Sequence, residues 1–188
     1  MQPLFAVPPP LNENPPYYPY NAWSSLPFAF PLLLEPTSIY GLMGGGLAYT
    51  SFVWWWSGNE IARTFDVACV GYFLSYPAAM ACNNTYLPLA ISSASLALGA
   101  VRYDKPLQLI LVVSASGSLS VLAISKEYLI LAGALLSLVS KFAHSFGVYS
   151  KGTALFHTIA AIVLVLIQTR NWEDSVPREA CTFELPPL

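Results

Sequence analysis

The feature that most constrains this chain is a train of apolar runs from Pro36 to Arg170, interrupted only by short polar breaks. Only 10% of the 188 residues are charged, against roughly 25% in a soluble domain. The mean hydropathy is +0.55. A water-facing exterior of ordinary composition cannot be built from such a chain, so lipid is the expected solvent. At about 20 residues per crossing, the block has room for roughly six spans. The expectation is an all-α integral membrane protein in three parts: an extended Pro/Tyr-rich tail over 1–35, a six-helix transmembrane domain over 36–170, and a short polar tail over 171–188.

Ten of the sixteen prolines fall within residues 1–36, interleaved with Tyr17, Tyr18 and Tyr20. Proline fixes its own φ and lacks a donor, which favours extended or polyproline II backbone. The short apolar run Leu26–Leu34, broken by Pro27 and Pro31, is read as interfacial. No basic segment followed by an unbroken apolar run opens the chain, so insertion is expected to rely on the internal helices.

The first span is expected over about 37–56. Gly41 and Gly45 give it a small-residue face for close helix packing, and Trp54, Trp55 and Trp56 lie where an aromatic belt belongs. The second span, about 64–82, is expected to kink near Pro77. The third covers about 86–101 and the fourth about 107–125. Ser114, Ser116, Gly117, Ser118 and Ser120 predict tight packing around the fourth. The fifth and sixth spans are expected over about 128–146 and 153–169. Asn83-Asn84-Thr85 matches a glycosylation sequon but sits in a turn of a few residues and reads as a chance match. The cysteines Cys69, Cys82 and Cys181 make no metal spacing and read as small apolar residues.

Six passes put both termini on one side. That side receives Lys126, Arg170 and Arg178, and the other receives Arg63, Arg102, Lys105, Lys141 and Lys151. The basic loops therefore mark the cytoplasmic or matrix side, opposite the termini. A net charge of -2 gives no footprint for nucleic acid.

Ionisable residues within the apolar block are costly and point to function. Asp66, Lys141, His144 and His157 all fall toward the basic side. His144 and His157 flank one turn at a shared depth, so two imidazoles could hold a haem or a metal between adjacent helices; structural histidines are the plainer reading. No phosphate loop, nucleophile elbow or mid-membrane pair of carboxylates is present.

The pattern at Ser51, Asp66 and His157 resembles the CREST superfamily of membrane hydrolases, which includes the alkaline ceramidases and myomaker-like proteins. The resemblance covers most of residues 37–168. It implies seven spans and a zinc site built from histidines, a serine and an aspartate. Ser51 matches the family serine late in one span, Asp66 the aspartate opening the next, and His157 the second histidine of a pair in the last span. Trp55 and Thr153 stand where the family has its other two histidines, and the first family span has no counterpart among the six. With zinc, the resemblance implies a hydrolase of a lipid amide or ester, with Ser51 and Asp66 catalytic and His157 a ligand.

A catalytic zinc needs three protein ligands and an open position, which this pattern does not supply. The expected function is therefore a non-catalytic, multi-pass accessory subunit of a larger membrane complex, without a cofactor of its own. Its expected partners are other membrane subunits and bound lipids. A respiratory-chain or other energy-transducing assembly of the mitochondrial inner membrane is the expected setting. The zinc hydrolase and the two-histidine haem protein are the alternatives.

Overall fold

The computed structural model describes residues 12–145 and 152–172, without the side chains of 142–145 and 152. Every regular element among them is helical. The long helices are α3 (Ile39–Ser57), α4 (Glu60–Ala81), α5 (Leu87–Ala100), α6 (Asp104–Ile124), α7 (Tyr128–Ser145) and α8 (Gly152–Gln168). They correspond to the six expected spans, with one shift: α4 opens at Glu60. Gly58, at φ 68°, ends α3 in the left-handed region. The Asn59 side chain then caps α4 by accepting from the Ala62 N–H at 3.0 Å. A two-residue turn suffices, so Glu60–Arg63 join the helix instead of forming a polar break.

The N-terminal segment departs most from expectation. From residue 19 to 34 it is helical rather than extended, in three pieces: α1 (Pro19–Ser25), a 3₁₀ turn (Leu26–Ala29) and α2 (Phe30–Leu34). Pro19, Pro27 and Pro31 each fall in the first turn of one piece, where a missing N–H breaks no helical bond. Proline spacing therefore divides the helix without abolishing it.

This broken helix lies antiparallel to α3 along its length. The N–H groups of Tyr17 and Tyr18 donate to the Trp56 and Trp55 carbonyls at 3.1 and 3.0 Å. Ser25 meets Ser51 midway, and Phe28 and Pro31 pack on Gly44. A Cβ at Gly41 would collide with the Glu35 and Pro31 carbonyl oxygens, and one at Gly45 would come within 2.6 Å of the Leu32 side chain. The small-residue face of α3 is thus used, and its partner is the N-terminal segment. Residues 17–18 lie by the end of α3, whereas Gln168, at the end of α8, donates to the Pro31 carbonyl at 3.2 Å. The described ends of the chain therefore stand at opposite ends of the bundle, not on one side.

The core gathers Phe28, Tyr40, Leu47, Phe73, Leu122 and Leu164 from both the N-terminal segment and the long helices. Pro77 lies inside α4, and Ser118 of α6 donates to the Leu74 carbonyl at 2.6 Å beside it. A neighbouring hydroxyl thereby serves backbone that the proline disturbs. The rest of α6 is not tightly packed as its serines and glycine predict: only 22% of its apolar window is buried. Among the described residues, α6 is the one helix both long and apolar enough to cross a membrane. The 22-residue α4 carries Glu60, Arg63 and Asp66, and α5 is shorter at 14 residues.

Cys69 is a buried free thiol, as expected of a small apolar residue. Cys82 is disulfide-bonded, which that reading missed because spacing alone says nothing of pairing in space. Cys181 lies outside the described residues.

Candidate functional site

Four helices bring one polar residue each to a common region inside the bundle. Ser51 and Trp55 are one turn apart on α3 and face inward together, 1% and 2% exposed. Asp66 lies in the second turn of α4 and is 9% exposed. Lys141 comes from α7, and His157, 4% exposed, from α8. The Ser51 hydroxyl stands near enough to the Asp66 carboxyl to serve as its hydrogen-bond donor, and Lys141 and Asp66 attract each other as opposite charges.

The N-terminal segment closes this region from one side. The Ser24 and Ser25 hydroxyls both donate to the Asn21 carbonyl, at 3.0 and 2.8 Å. Their oxygens lie 3.0 and 3.2 Å from His157 Nδ1, which is also 3.2 Å from the Asn21 carbonyl oxygen. A carbonyl can only accept, so this contact places a proton on Nδ1. Around the imidazole stand Phe28, Phe156 and Trp55, with ring centroids 5.4, 5.6 and 6.0 Å away. The Lys141 ammonium sits 5.7 Å over the Trp55 ring and 5.8 Å over Phe156. It is thus held by two π faces as well as by the carboxylate charge.

From this polar end a cavity of about 480 Å³ extends between α4, α6, α7 and α8. That volume lies within the ordinary range for small-molecule sites. Ser51, Asp66, Lys141 and His157 line it at one end, and Leu111, Leu122, Leu138 and Ile167 line its apolar length. The Asp66 Oδ1 atom is buried with no hydrogen-bond partner among the described residues. A buried acceptor of that kind is expensive and is available to a donor entering the cavity.

The expected residues Ser51, Asp66 and His157 are therefore brought together. The side chain of His144 lies outside the described residues, so the two-histidine pairing proposed for haem has no described geometry. Among the described residues the donors do not complete a catalytic zinc set. Trp55 packs edge-on against Tyr18 at 5.2 Å, and Thr153 is wholly buried; neither supplies an imidazole. Among the described residues no group of three or more His, Cys, Asp and Glu side chains could hold a metal ion. Sequence reasoning missed Asn21, Ser24 and Ser25 because it treated their segment as a tail. The apolar 3.6-residue stripe Ala22, Ser25 and Phe28, continued by Ala29, is the signal that could have recovered them. No protein-family model, curated protein or solved structure matches the chain.

Proposed function

We propose that this chain is a non-catalytic membrane protein that holds a lipid inside its helix bundle and serves as an accessory subunit of a larger membrane assembly. The observation that carries the reading is the cavity itself. It has an apolar length, one polar end at Asp66, Lys141 and His157, and an Asp66 oxygen awaiting a donor. A single-chain or narrow amphiphile with a neutral hydroxyl or amide head satisfies both parts. On this reading the polar end is a CREST-like hydrolase centre that lacks its metal, with Trp55 and Thr153 where two ligands would be.

Membrane embedding is supported by α6, whose mean hydropathy is 2.1 although only 22% of the same window is buried. In water such a surface would aggregate; in lipid it is the ordinary exterior. With the N-terminal broken helix antiparallel to α3, seven segments cross, which is the number the family resemblance implies. A disulfide at Cys82 belongs to an oxidising compartment. Arg63, Arg102, Lys105 and Lys141 gather at the other end of the bundle, as expected of a cytoplasmic or matrix face. A mitochondrial inner membrane and an energy-transducing complex are consistent with this orientation. The subunit role draws its support from the many exposed apolar side chains.

The test is purification of the tagged full chain in mild detergent, followed by mass spectrometry of retained lipids and elemental analysis. A retained lipid, displaced in the cavity-filling variant Ala115→Phe and accompanied by no stoichiometric metal, is the expected result. Bound zinc with lipid hydrolysis would overturn the non-catalytic reading. Migration alone rather than with other subunits would remove the accessory role.

A further inference from the structure

A second groove adjoins the central cavity at the basic end of the bundle and shares Arg63, Val67, Asp104 and Leu107 with it. It has a volume of about 500 Å³ and is formed where α4 begins, α5 ends and α6 begins. Its floor is apolar, with Phe65 and Val67 of α4, Leu96 of α5 and Leu107 of α6. Close packing of α4 on α5 closes its base: a Cβ at Gly99 would stand 3.2 Å from the Thr64 Cγ2 atom. Glu60, Arg63, Arg102 and Asp104 line the same groove, so both charge signs adjoin its apolar floor.

Those charges are only partly spent on each other. Arg63 pairs with Glu60 at 3.3 Å and lies 5.8 Å over the Trp54 ring. Arg102 and Asp104, both exposed, enter no ion pair among the described residues. They flank Tyr103 in the turn between α5 and α6, one cation and one anion at the same level. Above the groove floor α6 continues as a mostly exposed apolar helix, with Val112 47% exposed.

We propose that this groove binds a zwitterionic phospholipid bearing a primary amine, with its phosphate at Arg102 and Arg63, its ammonium at Asp104 and Glu60, and its acyl chain along α6. The inference rests on the membrane reading given above. Charge complementarity selects the head group. A purely anionic head would meet two carboxylates of its own sign, whereas a quaternary ammonium has no N–H to donate to them. A primary amine offers three donors, and arginine suits the phosphate oxygens. The site differs from the central cavity in its occupant: a leaflet lipid with a charged head rather than a neutral amphiphile.

The experiment reconstitutes the full chain in nanodiscs containing equal amounts of phosphatidylethanolamine, phosphatidylcholine and phosphatidylglycerol with matched acyl chains. Native mass spectrometry of the released protein then reads the retained lipids. Several-fold enrichment of phosphatidylethanolamine is expected, and the double variant Arg102→Gln/Asp104→Asn should abolish it. Lys105→Gln, a neighbouring exposed charge that does not line the groove, should leave it unchanged. Head-group-blind retention, or enrichment of phosphatidylglycerol, overturns the proposal. Enrichment that survives the double variant overturns it too, since the lipid would then sit elsewhere. Failure of the protein to enter nanodiscs at all would instead overturn the membrane reading on which the groove depends.

Discussion

The seam between the N-terminal broken helix and α3 contrasts with the face formed by α4, α6 and α7. At the seam, glycines let backbone meet backbone, and hydroxyls bond across the contact from Ser25 to Ser51. On the other face, larger apolar side chains meet around a cavity of about 480 Å³. On the proposed membrane reading, lipid offers no hydrophobic drive between helices, so packing and hydrogen bonds decide which surfaces close. Small residues closed the seam where the N-terminal segment reached them; on α6, Ala115, Ser116 and Ser118 line the cavity instead.

Substitutions can break that contrast in descending order of effect. Asp66→Ala removes the carboxylate that attracts Lys141 at the polar end of the cavity and should cost up to about 3 kcal/mol, the upper end of ordinary single substitutions. Adding Lys141→Met should recover much of the loss, read as the thermal midpoint in detergent. Equal midpoints for Asp66→Ala and the double variant would show that the two charges are not coupled.

Gly41→Ala tests the seam itself. Its Cβ would strike backbone carbonyl oxygens, which cannot swing away as a side chain can, so a loss of about 1–3 kcal/mol is expected. Gly117→Ala on α6 meets only Ala78, at 3.9 Å, and should change stability by less than about 0.5 kcal/mol. If the two alanines cost the same, the seam is no tighter than the cavity face.

A smaller effect is expected from Tyr40→Phe. The Tyr40 hydroxyl donates to the Leu164 carbonyl at 2.8 Å, and one interhelical hydrogen bond in a membrane contributes about 0.6 kcal/mol on average. Smallest of all is Glu127→Gln. It removes the 2.6 Å pair with Arg170, whose two side chains are 23% and 34% exposed. Screening should hold that loss to below about 1 kcal/mol. A larger loss at Glu127 than at Gly41 would place more of the stability in the turn before α7 than in the seam.

The resemblance to a known family singled out Ser51, Asp66 and His157, whereas the sequence by itself determined the helical class and the positions of α3 and α5–α8 within about three residues. Hydropathy and short polar turns report these because both are local properties. The sequence also identified Gly41 and Gly45 as a contact face, but could not say what would contact it. Only the tertiary structure decided that the proline-rich segment is helical, that it packs along α3, and that Asn21, Ser24 and Ser25 hold His157. Proline excludes helix interiors but not first turns, so composition alone could not distinguish an extended tail from three short helices in series. The cavity was likewise invisible in sequence, because a void is a property of how neighbouring helices fail to meet, and no residue encodes it alone.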